Sequence, residues 1–268
     1  MPKLAKGKIV ILGCGNLAWH IAKKFKQLKE YTVFVYNHQP NPLLNDFKNK
    51  LNCITESNLN EVVIDADFYF VCVTDKFVAA TAKKIMKKNS NSIFVHTSGS
   101  LKIEALGNVK HAGVFYPLQT FSKNDELNWS EIPIVVEAKT SNAKNKLLKI
   151  ASQFSKTIIK LSYKERLRLH LAAVLVNNFT NALVVAAEDF ISKSIPPQKV
   201  KILLPLLKQT VLKLEKLGTL AAQTGPAKRN DETVINKHLK LISDNSDLKK
   251  VYKQMSKLIL KQQTQTYA

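Results

Sequence analysis

An α/β N-terminal domain with a mostly parallel sheet, followed by an all-α C-terminal domain, is what this sequence predicts, on three observations. The stretch Lys8-Ile-Val-Ile-Leu-Gly-Cys-Gly-Asn-Leu-Ala18 joins an apolar run to a glycine turn and the start of an amphipathic pattern. Strand-like and helical runs then alternate as far as Ser162, as they do when parallel strands are joined by crossover helices. Beyond Ser162 only helical patterns remain, which divides the chain into residues 1–162 and 163–268.

Ile9 to Leu12 is aliphatic throughout, which suits a central strand covered on both faces. Gly13 lets the backbone leave that strand sharply, Gly15 has no Cβ to block a phosphate, and Ala18 is small enough for close helix–strand packing. Asn16 opens a helix carrying Leu17, Ile21, Ala22, Phe25 and Leu28, whose free N–H groups would face a pyrophosphate. Gly13, Gly15, Asn16 and Leu17 are therefore candidate dinucleotide contacts; the alternative is an ordinary turn between strand and helix.

Thr32 to Tyr36 reads as a second strand, ending in Asn37-His38-Gln39. An acidic residue at this junction would accept hydrogen bonds from the ribose 2′-hydroxyl of NAD, whereas neutral and cationic groups suit the 2′-phosphate of NADP. Neither Asp nor Glu occurs between Thr32 and Asn45. The pattern therefore favours NADP over NAD, with Asn37 and His38 either contacting the phosphate or forming a plain polar turn.

Asn52 to Thr55 supplies a short strand and Asp67 to Thr74 a longer one, followed by a helix from about Lys76 to Lys88 with its lysines on the wet face. Ligands in open α/β sheets lie beyond the carboxyl ends of strands, so Val73, Thr74 and Asp75 are expected beside the nicotinamide or its ribose. Asp75 could instead cap the helix. Ser92 to His96 and Ala112 to Phe115 are further strands, and the loops after them carry Ser98, Ser100, Tyr116 and Gln119. With His96, these polar groups could converge on one pocket and orient a carboxylate or carbonyl. Ser98 lies in Thr-Ser-Gly-Ser and not in a Gly-x-Ser-x-Gly elbow, which argues against a serine hydrolase. Ile132 to Glu137 and Thr157 to Leu161 add two strands around a helix from Ser141 to Phe154.

Lys164 to Ser192 reads as a single helix, apolar on nearly every face from Leu171 to Ala187, so other helices or a second copy of the chain must wrap it. The spacing places His170, Val174, Asn177 and Asn181 on one stripe. There His170 could transfer a proton and Asn177 hold a substrate oxygen, or all could simply be bonded within a core or dimer seam. Another helix runs from Pro196-Pro197 to Leu217 with a kink expected at Pro205, and two more follow around Asn230 to Ile242 and Leu248 to Lys261. Arg229, in the loop after Gly225-Pro226, could clamp a substrate acid or pair with Asp231.

The chain has 268 residues, 45% of them hydrophobic, and a formal charge of +21. Its lysines are spread along the whole length and not gathered in a stripe with aromatics, which argues against nucleic-acid binding, although a positive surface draws in anionic ligands. No signal peptide and no run of eighteen wholly apolar residues is expected, and three cysteines without metal spacing suit reduced thiols, so a cytoplasmic protein with no membrane span and no metal is expected.

Taken together, Gly13-x-Gly15-x-x-Ala18, Val73-Thr74-Asp75, His96-Thr-Ser-Gly-Ser-Leu101, Gly113-Val-Phe-Tyr-Pro-Leu-Gln-Thr-Phe121, His170 to Asn178, and Thr224-Gly-Pro-x-x-Arg229-x-Asp231 with His238 resemble a particular family. It is that of the Rossmann-like NADP oxidoreductases whose helical half is a domain of unknown function. The resemblance spans nearly the whole chain and is similar in plan to pyrroline-5-carboxylate reductase, prephenate dehydrogenase and the 6-phosphogluconate dehydrogenase group. It implies an N-terminal NADP-binding domain and a helical domain that dimerises. Two departures stand out. His38 replaces the arginine that often follows the second-strand asparagine, and Ala173 and Val174 stand where the β-hydroxyacid dehydrogenases carry a lysine four residues before asparagine.

The expectation is an NADP-dependent, homodimeric oxidoreductase moving a hydride to or from a small anionic carbonyl, imine or alcohol compound between its domains. His170, Asn177 and Ser98 would serve in catalysis, and Ser100, Gln119, Asn178 and Arg229 would bind substrate. A non-catalytic dinucleotide sensor on the same fold is the alternative.

Overall fold

The computed structural model describes residues 7–86, 91–196 and 201–264. Eight strands form one sheet: β1 Gly7–Leu12, β2 Tyr31–Tyr36, β3 Ile54–Glu56, β4 Phe68–Val71, β5 Ile93–His96, β6 Ala112–Pro117, β7 Ile134–Ala138 and β8 Ile158–Lys160. Their order is β3-β2-β1-β4-β5-β6-β7-β8, and every neighbouring pair is parallel except β6 with β7. The order reverses at β1, so the chain leaves β1 and β4 on either side of a crevice at their carboxyl ends.

The aliphatic run of β1 has a direct cause. Ile9 and Ile11 belong to one core, with α1 (Asn16–Leu28), α2 (Pro42–Leu51) and α4 (Ser141–Phe154); Val10 and Leu12 belong to another, with α3 (Asp75–Met86) and the 3₁₀ turn Ile103–Leu106. Both faces are thus covered, and period-two alternation has no solvent side to mark.

Helix α2 was not among the elements expected from the sequence. Pro42 sits in its first turn, where its missing N–H is harmless, and Asn41 accepts a hydrogen bond from the Leu43 N–H at 2.9 Å. The same physics removes the kink expected at Pro205, which is the third residue of α7 (Leu203–Leu217). The start of that helix at Pro197 and the end of α3 at Lys87 and Lys88 lie outside the described residues.

The long helix runs from Tyr163 to Ser192, as α5 (Tyr163–Ala173), a π-helical segment (Val174–Phe179) and α6 (Thr180–Ser192). The π segment bonds i to i+5 and widens the turn, so the single stripe expected for His170, Val174, Asn177 and Asn181 from 3.6-residue spacing is not kept. By length and composition this helix could cross a membrane, and none of its most apolar window is buried. Among the described residues, the other helices therefore do not bury that window.

The chain divides into two compact units, Met1–Leu175 and Val176–Ala268, so the first turns of the long helix go with the sheet and not with the helical half. The second unit contains α6, α7, α8 (Glu232–Leu241) and α9 (Ser246–Thr264). Within it Leu183, Phe190, Leu241 and Leu248 surround a cavity of about 450 Å³, where His238 Nδ1 and the Tyr252 hydroxyl are 2.8 Å apart.

Candidate active site

Gly13 leaves β1 with φ +111°, and its N–H donates to the Tyr36 carbonyl at 2.8 Å, which ties the turn to the end of β2. A Cβ on Gly13 would stand 2.4 Å from the Cys72 carbonyl oxygen, so only glycine fits between β1 and β4. Gly15 is the N-cap of α1 with ordinary φ −77° and supplies no capping side chain. A Cβ there would enter open space, which leaves room in front of the unpaired first-turn N–H groups of α1.

Beside this turn lies a cavity of about 600 Å³. Of the residues expected to contact a cofactor, Gly13, Gly15, Asn37, His38, Val73 and Thr74 line it. Asn16, Leu17 and Asp75 are not among its walls. The Asn16 amide instead donates to the Phe121 carbonyl at 3.0 Å, and Leu17 packs against the core. Sequence reasoning missed Leu43 on α2 and Phe77, Ala80, Thr81 and Lys84 on α3. Their spacing of three and four residues signals a helix face, but a face toward solvent and one toward a ligand read alike.

Asp75, the first residue of α3, accepts from the hydroxyls of Ser98 at 3.0 Å and Ser100 at 2.5 Å. Ser98 Oγ also accepts from the N–H groups of Ser100 and Leu101, both at 3.1 Å. Ser98 thus shapes the loop after β5 and links it to the cavity wall at Thr74. His96 lies fully buried behind this loop, its Nδ1 accepting from the Ser98 N–H at 3.2 Å. Burial first, and the Arg166 charge second, hold its pKa down to about 4, so it is neutral at physiological pH.

Tyr116, on β6, and His170, on α5, meet above Gly99, with the phenol oxygen 3.1 Å from His170 Nδ1. A Cβ on Gly99 would come within 2.7 Å of that nitrogen and 2.8 Å of the phenol ring, so the bare backbone makes the seat for the pair. Burial raises the Tyr116 pKa, with Arg166 opposing, which keeps the phenol protonated. Gln119 is exposed, its side-chain oxygen taken by the Thr120 N–H at 2.8 Å. The loop after β6 is held on α1 by Asn16 and by His20 Nε2, which donates to the Ser122 carbonyl at 2.7 Å.

Arg166 was not among the expected site residues. Fully buried on α5, it donates to Glu137 at 2.9 Å and to the carbonyls of Ser98, Gly99 and Leu101 at 2.9, 3.0 and 2.7 Å. These bonds place α5, and with it His170, over the loop after β5. Nothing local separates Arg166 from the exposed Arg168 two residues on. Asn177, Asn178 and Arg229 belong to the second unit, where all three are exposed, and Asp231 caps α8 by accepting from the Val234 N–H at 3.0 Å without pairing with Arg229.

The comparisons fit this geometry. Residues 8–98 match the family described as NADP oxidoreductase coenzyme F420-dependent, and residues 132–259 match a domain of unknown function (DUF2520). A structure from Bacteroides fragilis described as a "putative NADP oxidoreductase" is 34% identical over 97% of this chain and 100% of its own, with a TM-score of 0.88. The chain belongs to this NADP oxidoreductase family. More distant members of the fold are a Plasmodium falciparum pyrroline carboxylate reductase with NADP bound (13% identity, 97% and 100% coverage, TM-score 0.61) and a Myxococcus stipitatus imine reductase in complex with NADP+ (15%, 94% and 92%, 0.64). No curated protein sequence matches the chain. The turn after β1 fits the family's cofactor: the uncapped α1 start and the open space at Gly15 admit a pyrophosphate, and no carboxylate lines the cavity among the described residues.

Proposed function

We propose that this chain is an NADP-dependent oxidoreductase acting on a small anionic carbonyl, imine or alcohol compound held beside Tyr116, with Tyr116 transferring the proton and His170 as its partner. The observation that carries this reading is the Tyr116–His170 hydrogen bond on its Gly99 seat. A continuous set of contacts links that pair to the dinucleotide cavity, from Thr74 through Asp75 and the two serines to Gly99. Bound NADP supplies or accepts the hydride. The unpaired N–H groups at the start of α1, beside the open space at Gly15, would hold its pyrophosphate, and Phe77 and Leu43 would offer apolar walls to its base. Tyr116, kept as a phenol by burial, donates to a substrate oxygen or nitrogen when His170 Nδ1 carries a proton, and to His170 when it does not. Ser98 serves as a loop anchor, and a cationic chain attracts an anionic substrate.

The test is to offer keto acids and cyclic imines to the NADPH-loaded protein while following nicotinamide absorbance. Tyr116→Phe should lower kcat about a hundredfold or more, the scale of general acid catalysis, with NADPH affinity unchanged. An unaltered kcat would sink the assignment of Tyr116. Cofactor binding without turnover of any compound would favour a dinucleotide sensor.

The helical unit adds a second proposal, that of a homodimer working in the cytoplasm. Val176, Phe179 and Val185 on the long helix and Leu206, Leu212 and Leu217 on α7 are exposed. Asn177, Asn178 and Asn181 interrupt the first set, which suits amides bonded across two protein chains better than hydrocarbon. Free thiols at Cys14, Cys53 and Cys72, all pushed up by burial and so protonated, suit a reducing compartment.

A further inference from the structure

Helix α3 presents Phe77, Ala80, Thr81 and Lys84 to the dinucleotide cavity, a face repeating at three and four residues over about two turns. Helical side chains lean toward the N-terminus of their own helix, which turns the Lys84 chain back toward the carboxyl end of β4. The opposite wall ends at Asn37 and His38, after β2. Among the described residues that line the cavity, Lys84 is the only lysine or arginine, and no carboxylate of the described residues forms an ion pair with it. Lys83, its neighbour in sequence, is exposed and lies off the cavity.

We propose that Lys84 is the residue that selects NADP over NAD, binding the 2′-phosphate from across the cavity while Asn37 and His38 hydrogen-bond it from the β2 side. The inference rests on the cavity being the dinucleotide site. It explains how the chain keeps a phosphate-binding charge with histidine at position 38. A Lys ammonium acts as a point charge and needs no bidentate geometry, so it can serve from the end of a flexible stem.

Calorimetric titration of the intact protein with NADPH, NADH, 2′,5′-ADP and 5′-AMP tests this. The wild type should bind NADPH and 2′,5′-ADP at least about tenfold more tightly than NADH and 5′-AMP, the scale of one charge-assisted hydrogen bond, and the difference should shrink as salt is raised. Lys84→Gln should remove most of that difference while leaving NADH affinity within about twofold, and Lys84→Arg should retain it. Lys83→Gln should change neither. Equal loss from the Lys84→Gln and Lys83→Gln variants would mean a general surface field and would overturn the inference. Equal affinity of the wild type for NADPH and NADH would overturn it while leaving the dinucleotide site intact. Failure to bind either would remove both readings.

Discussion

Gly13 and Gly15 stand two residues apart and would fail in opposite ways. Gly13→Ala forces a side chain at φ +111° against the Cys72 carbonyl, so it should destabilise the fold by at least about 2 kcal/mol, measured by chemical denaturation. A Cβ at Gly15 meets no protein atom, so Gly15→Val should change stability by less than about 1 kcal/mol while NADPH affinity collapses. A Gly15→Val protein that binds normally would refute the pyrophosphate seat. His96 gives a pH prediction at the same scale. Its folded pKa, about 4, lies below the ordinary 6.5, so between those values the unfolded chain holds more protons. Stability is therefore complete above pH 6.5 and lost progressively toward pH 4, by up to about 3 kcal/mol. Replacing His96 with Gln should flatten that slope in denaturation midpoints measured across the range.

At the scale of elements, Arg166 joins α5 to the loop after β5 and to Glu137 on β7. Arg166→Met leaves a carboxylate and three carbonyls short of a donor and should destabilise by about 3–5 kcal/mol. Arg166→Lys keeps the charge but not the fork, so it should recover part of the stability. Because the arginine also sets the height of His170 over Gly99, kcat should fall in Arg166→Lys with little change in NADPH affinity; a change confined to stability would reduce Arg166 to a structural role. The elements differ in how openly they were written. Strand β1, the Gly13–Gly15 turn and α1 follow from residues adjacent in sequence, through backbone freedom and side-chain period. Helix α2 was hidden because two prolines mark a loop and a first helical turn equally well. The π segment was hidden because period counting assumes 3.6 residues per turn.

For the whole molecule, the uncovered apolar surface makes the sharpest prediction. Val176 is 74% exposed and Leu206 67%, in a chain whose long helix buries none of its most apolar window. Light scattering should show a dimer, and Val176→Asp combined with Phe179→Asp should yield monomers that keep NADPH affinity. A monomeric wild type that sediments with lipid vesicles would instead assign the helix to a membrane.

The sequence by itself determined the α/β half, the helical half, the glycine turn after β1 and the missing acid after β2. Each of these is a pattern among neighbours, and the periods of strand and helix make such patterns legible. Only the tertiary structure decided that Tyr116 meets His170, that Arg166 holds the loop from Ser98 to Leu101, and that Lys84 faces a cavity and not water alone. Those pairings join residues far apart along the chain. They depend on which strand ends lie side by side and on which helix face turns inward, and neither is encoded in any single stretch.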